Sequence, residues 1–560
     1  MKISKLSMIK PITKINMAKS SAVSSPMNVQ RADMVSFSGK YETKPVNVDI
    51  ETAKFVANSL STSTSGHRAP YGSDKFNKDV VELITVGVGK YAIDHAKAEG
   101  KKPTVLIGGD TRVATKESLP LIKDTLLKQG VDVLYIEKPV PTPVLAVAAR
   151  DNNVDLAVLM TASHNPWADG GYNLVTKEGA IAPASVTKKV AEKMVETAEA
   201  GRYTIETNPK SEAKTIFPYE EYKKQIDSLG LIDWENIRKN APTVFYDPLE
   251  GTGANVLPQL LEDNGVRFRV FNSKGHEGPN PNAANLKEMG SYLADKADAG
   301  FYNNIGLATD GDADRFGLVD ERGNFIPAND VILLSAYHLA KNKGLTGAII
   351  RSQATSSQVD EVAKKYDQKL FETPVGFKYI AEDIIELREH GEEVLVAGEE
   401  SGGMTAYGHI PEKDGILANL LVLDLVAAEK KPVSEILADV KKELGVKVHS
   451  SIYSKKMKTD EDKAVVMDSV GEYFKQAVAG KYADVDVEAT KKNAEDMKRY
   501  REGGDGYKII YKDGSSLLFR KSGTEPLVKC YIEARGGIYG NLAERHESLE
   551  RKAKDFFPIG

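Results

Sequence analysis

The chain holds a single cysteine, Cys530, among 560 residues. That excludes an internal disulfide and any cysteine-based zinc cage, and it suits a reducing compartment, so a cytoplasmic location is expected. In the run Leu527-Val-Lys-Cys-Tyr-Ile532 the thiol reads as a small buried hydrophobe. No run of eighteen or more apolar residues occurs, so no membrane span is expected. Charge of one sign is also missing: the net formal charge is −5 with acids and bases interspersed, which leaves no basic stripe for nucleic acid. The pattern G-x-x-x-x-G-K-[ST] is absent, which argues against a P-loop kinase.

What is present is length and repetition. A chain of 560 residues exceeds what one core supports and should divide into about three to five domains. Residues 1–45 are basic, Ser- and Met-rich and without periodicity; they read as a disordered leader, with a transit peptide as the alternative. Beyond them one plan recurs three times. Thr104–Ile107, helical Leu119–Gln129, strand-like Val131–Glu137, helical Pro143–Arg150 and the run ending at Met160 lead into "TASHNP". Thr243–Tyr246, Asn255–Asp263, Val266–Phe271, Ala283–Lys296 and Ile305–Thr309 lead into "DGDADR". Ala348–Ile350, Val359–Tyr366, Lys369–Glu372, Tyr379–His390 and Val394–Ala397 lead into "GEESGG".

Short buried strands alternating with helices predict mixed or parallel sheets covered on both faces. The expected architecture is three repeated α/β domains (46–220, 221–330 and 331–445) with a C-terminal α+β cap, 446–560. Ligands of such sheets collect beyond the carboxyl ends of the strands. The three unusual loops stand at that position in each repeat, so they are expected to face one cleft.

Each loop has its own chemistry. Asp310, Asp312 and Asp314 alternate with small residues, which lets three carboxylates turn to one point and hold a hard cation, best Mg²⁺. The spacing imitates a calcium loop as far as Glu321, but Arg315 stands where that loop needs glycine. Beside a divalent ion, Ser163 can take and return a phosphoryl group. Glu399 and Ser401, on alternate positions between glycines, suit adjacent hydroxyls of a sugar. In "FRKSGTEP", Arg520, Ser522, Gly523 and Thr524 read as an anion cradle for a substrate phosphate. Gly87-Val-Gly89 imitates a dinucleotide fingerprint, yet Val80, Leu83, Ile84, Val88 and Tyr91 place it inside an amphipathic helix.

In this order, "TASHNP", "DGDADR", "GEESGG" and "RKSGTEP" resemble the four signature loops of the α-D-phosphohexomutase superfamily, the phosphoglucomutases and phosphomannomutases. The resemblance spans about residues 60–560 and takes in "TSGHR", "GGDTR", "TPVGFKYI" and "GHIPEKDG". It implies a heart-shaped four-domain molecule with a mobile cap, acting as monomer or small homo-oligomer on a hexose phosphate. It implies Ser163 as phosphoserine, which with Asp310, Asp312 and Asp314 holds Mg²⁺, and a cycle through a hexose 1,6-bisphosphate, with glucose 1,6-bisphosphate as activator. Arg68, Arg112, Arg315, Lys378 and Lys413 are implied to supply charge and to position substrate. Where many members carry a lysine after the serine loop, this chain has Asn173; His164, Lys177 and Arg68 are then the candidate acid/base groups. Lys529 stands where an arginine is common. O3 and O4 are alike in glucose and mannose, so the Glu399–Ser401 clamp suits both, and "GEES" with "EKDG" favours glucose. The competing readings are a metal-dependent sugar phosphatase and a catalytically impaired sugar-phosphate binder.

Overall fold

The computed structural model describes residues 41–63, 65–207, 209–500, 506–521, 527–536 and 541–557. Most of the expected leader lies outside these residues. Its last five do not belong to a leader: Tyr41–Pro45 is a strand paired antiparallel with Arg202–Glu206.

The three repeats share one topology. In the first, Asp132–Tyr135, Thr104–Gly109, Leu156–Met160 and Asp169–Val175 are neighbours in that order; the first three run parallel and the last is antiparallel. Phe268–Val270, Thr243–Asp247, Asn304–Thr309 and Phe316–Val319 repeat the arrangement. So do Leu370–Thr373, Ala348–Ser352, Val394–Gly398 and Met404–Ala406. The sequence pattern finds the three parallel strands of each repeat but not the returning fourth. That strand is buried on both faces and carries glycines, Gly170 and Gly171 in the first repeat, so it shows neither alternation nor a β-branched run. Each chemically loaded loop therefore joins the third strand to its antiparallel return.

Helix Lys78–Glu99, capped by Asn77 onto the Val80 amide at 3.1 Å, carries the false dinucleotide motif. A Cβ on Gly87 would lie 2.7 Å from the Val190 carbonyl and one on Gly89 2.2 Å from Gln129 Oε1, so both glycines serve helix packing. Helix Gly415–Glu429 is apolar and buried nearly all round, as a helix inside a core must be. Asp414 caps it, accepting from the Ile416 and Leu417 amides at 2.8 Å each.

One apolar cluster, from Leu106 to Leu444, runs through all three repeats. The C-terminal unit, whose strands are Val448–Lys456, Gly506–Ile510, Ser516–Lys521 and Leu527–Arg535, has a separate core from Met457 to Phe557. Cys530 lies in that core, and burial pushes its thiol pKa well up, so it is inert. No described helix is long and apolar enough to cross a membrane.

Polar groups join this unit to the third repeat. Glu372 accepts from Lys508 Nζ at 2.5 Å and Asn493 Nδ2 at 3.1 Å, and pairs with Arg351 Nη1 at 3.0 Å. Glu533 accepts from the Ser357 amide at 2.9 Å, and Arg499 pairs with Asp383 at 2.5 Å. Burial opposes ionisation of Glu372, but Lys508 and Arg351 outweigh it and hold its pKa down to about 2. Replacing Glu372 by Gln leaves two cations facing a neutral amide. It should destabilise the docked C-terminal unit by about 2–4 kcal/mol, measured as faster hydrogen exchange in Gly506–Ile510; unchanged exchange there refutes the role.

Candidate active site

The serine loop is fixed from beneath. Ser163 adopts φ of 50°, a left-handed conformation that serine rarely takes. Its amide donates to Thr161 Oγ1 at 2.8 Å, and that hydroxyl donates to Asp110 Oδ2 at 2.7 Å. Arg112, paired with Asp110 through Nε at 3.0 Å, donates to the carbonyls of Ser163 at 2.6 Å, Asn165 at 2.7 Å and Asp169 at 3.3 Å, and to that of Pro166. Its Nη donors are thus committed to the serine loop and its Nε to Asp110. Arg112 is a scaffold for the loop rather than the substrate-binding group expected from the sequence.

Two further expectations change. Asn173 is buried and donates to the Thr161 carbonyl at 2.8 Å, so it supports the loop from below. Lys177 lies past Val175, which pairs with Ala157 at the start of the third strand, three residues from Met160 at the loop end; at about 3.3 Å per residue that is the opposite edge of the sheet. There Lys177 pairs with Glu99 at 2.5 Å, so it is not an acid/base group of this site.

The aspartate loop brings its three carboxylates within 4.8 Å of one another, all buried. Asp310 Oδ2 accepts from Ser163 Oγ at 2.7 Å, and Asp312 Oδ2 accepts from Thr142 Oγ1 at 2.9 Å. Asp314 Oδ2 accepts from Lys413 Nζ. Asp312 Oδ1 and Asp314 Oδ1 are buried without a hydrogen-bond partner, the arrangement a cation with oxygen ligands satisfies. Burial, then the neighbouring carboxylates, push the Asp310 pKa well up; Asp312 is raised by burial and by Asp314. Burial opposes ionisation of Asp314 too, but Lys413 and Arg315 outweigh it and hold its pKa low. The donor set fits a hard divalent ion. Glu321, the twelfth position of the calcium-like spacing, instead accepts from Ser434, so no calcium loop forms.

The third loop completes the cleft. Glu399 Oε1 accepts from the Gly376 amide at 2.7 Å, and burial, then Glu400, push its pKa up to about 7. Arg315 reaches from the aspartate loop to the Ser401 carbonyl at 3.4 Å. His164, Arg315, Glu400, Ser401, Lys529 and Tyr531 line one cavity of about 450 Å³, so all three loops and the C-terminal sheet meet there. His164 Nδ1 stands 3.3 Å from Ser163 Oγ, and burial, then Arg315 and Arg68, hold its pKa well down, so the ring is uncharged. Arg68 donates to Asn165 Oδ1 at 3.4 Å. Lys378 donates to the Ser63 carbonyl at 3.3 Å. Arg520 is on strand Ser516–Lys521, while Ser522, Gly523 and Thr524 of the expected anion cradle lie outside the described residues. Sequence reasoning passed over Asp110, Thr142 and Glu400. The first two are invisible without the fold, but the doubled acid in "GEES" was a usable signal for Glu400.

Models of the phosphoglucomutase/phosphomannomutase family match in order: the alpha/beta/alpha domain I over residues 59–201, domain II over 220–323, domain III over 327–444 and the C-terminal domain over 460–537. The chain belongs to this family, within the α-D-phosphohexomutase superfamily. It is 28% identical over 497 residues to a phosphoglucomutase/phosphomannomutase of Thermococcus kodakarensis, covering 86% of this chain and 95% of that one. It is 26% identical to a phosphoglucomutase of Komagataeibacter xylinus, covering 85% and 87%. Identity is also 26% to a phosphoglucosamine mutase of Clostridioides difficile, covering 77% and 86%. The fold matches that of parafusin, a phosphoglucomutase from Paramecium solved in an open form, with a TM-score of 0.72 at 21% identity over 92% of this chain and 96% of that one.

The close packing beneath the serine predicts one sensitive position. A Cβ on Gly171 would lie 1.9 Å from the Thr161 carbonyl oxygen, so Gly171→Ala must push the loop off Asp310. Stability should fall by about 2–4 kcal/mol, measured by denaturant titration, and a normal midpoint would show that the loop can move freely.

Proposed function

We propose that this protein is a phosphohexomutase that interconverts hexose 1-phosphate and hexose 6-phosphate, with glucose preferred and mannose the alternative sugar. The observation that carries the reading is Ser163 Oγ at 2.7 Å from Asp310 Oδ2, at the mouth of a three-carboxylate cluster. A hydroxyl so placed is poised to hold a phosphoryl group, and the adjacent His164 lines a cavity shared with the sugar loop and the C-terminal sheet.

In the forward direction the Oγ–P bond of phospho-Ser163 breaks as the O6–P bond of the substrate forms. The hydroxyl proton is relayed through the His164 ring, whose Nδ1 stands 3.3 Å from Ser163 Oγ, to the Oγ, which keeps the electron pair of its broken bond and ends as a hydroxyl. Mg²⁺ held by Asp310, Asp312, Asp314 and phospho-Ser163 supplies charge neutralisation for the phosphoryl oxygens when bound. Arg315 and Lys413 set the charge of the aspartate cluster, Glu399 and Ser401 orient the sugar hydroxyls, and Arg520 holds the phosphate that is not transferred. The bisphosphate then turns, its C1 phosphate returns to Ser163, and hexose 6-phosphate leaves. Glucose 1,6-bisphosphate serves as activator by recharging Ser163.

With Mg²⁺ and a trace of glucose 1,6-bisphosphate, glucose 1-phosphate and mannose 1-phosphate offered together should both yield 6-phosphates without inorganic phosphate, followed by phosphorus NMR. Ser163→Ala should lower the rate by at least about 10³-fold. Release of inorganic phosphate alone would make the protein a phosphatase instead.

A second expectation concerns pH. The pKa of Glu399 is raised to about 7, and the ionised carboxylate is the form that accepts from two hydroxyls. Sugar-phosphate binding should therefore weaken as pH falls through about 7, and the effect should vanish in Glu399→Gln. A KM profile identical in the two proteins would remove Glu399 from sugar recognition.

A further inference from the structure

The two glycines that end "GEESGG" answer different needs. Gly402 adopts φ of 94°, a conformation that favours glycine. Gly403 lies outside that region, and its need is space: a Cβ there would stand 2.4 Å from Lys413 Cδ and 2.8 Å from Lys413 Cγ. The Lys413 stem thus crosses residue 403 on its way to Asp314, whose Oδ2 accepts from Nζ. The backbone on both sides of this crossing is held. The Gly403 carbonyl accepts from the Glu399 amide at 2.9 Å, Gly403 forms an antiparallel bridge with Arg315, and the Gly402 carbonyl accepts from the Phe316 amide at 3.0 Å. The Lys413 amide donates to Glu412 Oε1 at 3.0 Å, and the Asp414 amide donates to the Met404 carbonyl at 2.8 Å. Asp414 Oδ2 in turn accepts from the Tyr222 hydroxyl at 2.7 Å and lies 2.9 Å from His409 Nε2. Only the lysine side chain has bonds free to turn, so a side chain at position 403 displaces the ammonium rather than the loop.

We propose that Gly403 is a positioning residue: its missing side chain opens the passage that seats the Lys413 ammonium on Asp314, and this fixed charge lowers the affinity of the aspartate cluster for a divalent cation. The inference rests on the metal-dependent phosphohexomutase reading for the presence of that cation. Asp314 gives Oδ2 to the lysine and keeps Oδ1, which is buried and accepts no hydrogen bond. Ammonium and metal ion would then be neighbours on one carboxylate, and they repel. Three ionised aspartates without the ammonium would hold a hard cation more tightly and, when empty, would repel one another more strongly. The lysine moderates both effects, so the cluster tolerates being empty and releases its ion more readily.

The test reads cation affinity directly rather than turnover. Mn²⁺ is titrated calorimetrically into Ser163→Ala, in which no phosphoserine can vary between preparations, and into the same protein carrying Lys413→Met, Gly403→Ala or both. Lys413→Met keeps an unbranched stem without the charge and should bind Mn²⁺ at least about 10-fold tighter. Gly403→Ala should tighten binding in the same direction and add nothing once Lys413 is replaced, because both changes act through one ammonium. A purely structural role gives the opposite sign, since a disturbed cluster holds its ion less well. Equal or weaker binding in folded Lys413→Met overturns the proposal. So does a Gly403→Ala protein whose affinity is unchanged, or changed equally with and without Lys413. Should Lys413→Met not fold, Gly403→Ala decides alone: tighter binding supports the proposal, and equal or weaker binding overturns it. Absence of Mn²⁺ binding in all four proteins removes the metal-dependent reading and this inference with it, whereas equal binding in all four sinks the inference alone. Tighter binding in the variants of a protein whose native form interconverts no hexose phosphate would keep the inference and sink the mutase reading.

Discussion

Three carboxylates buried within 4.8 Å of one another are the constraint around which the rest of this molecule is arranged. Like charges at that distance in a dry site cannot all ionise without compensation, and the protein supplies it from several directions. Lys413 reaches Asp314 from the segment before the central helix, Arg315 lies 3.9–4.0 Å from Asp314 and Asp310, and Thr142 and Ser163 donate hydroxyls. Two oxygens, Asp312 Oδ1 and Asp314 Oδ1, accept no hydrogen bond. The cluster is thus partly neutralised by fixed groups and keeps room for a hard cation and a phosphoryl group. Even the start of helix Gly415–Glu429 is shaped by it: a Cβ on Gly415 would lie 2.3 Å from the Arg315 carbonyl, so only glycine lets the helix begin against this loop.

The repeated sheet explains how three chemistries reach one place. In each repeat the third strand is followed by an antiparallel return, so the loop between them is pinned at both ends. A pinned loop can hold a strained backbone, as at Ser163 and Ala313, both with positive φ. Arg112, Asp110, Asn173 and Gly171 then secure the serine loop from below. The precision of the site lies in this supporting shell as much as in the groups that face substrate.

The parallel strands, the three loops and their convergence were legible because hydrophobic runs and chemically odd residues coincide at fixed points in the repeat. Ser401 comes beside the aspartate loop, its carbonyl accepting from Arg315, as its position in the third repeat requires. The returning strands were not legible, since Gly170-Gly171-Tyr172-Asn173 shows no strand period. Nor were the true tasks of Arg112 and Lys177. An arginine in "GGDTR" looks like a phosphate ligand until its carbonyl acceptors are in view, and a lysine a few residues past the serine loop looks near until the strand between them carries it to the far edge. The seam between the third repeat and the C-terminal unit was invisible for a related reason: Glu372, Lys508 and Asn493 are widely separated in sequence and ordinary in composition.

That seam has a thermodynamic consequence. The apolar clusters on its two sides share no member, and among the described residues charged and amide groups join them, with the Tyr379–Tyr500 ring pair as an aromatic addition. The balance between apposed and parted states should therefore respond to dissolved ions, which screen its exposed pairs such as Arg499–Glu386.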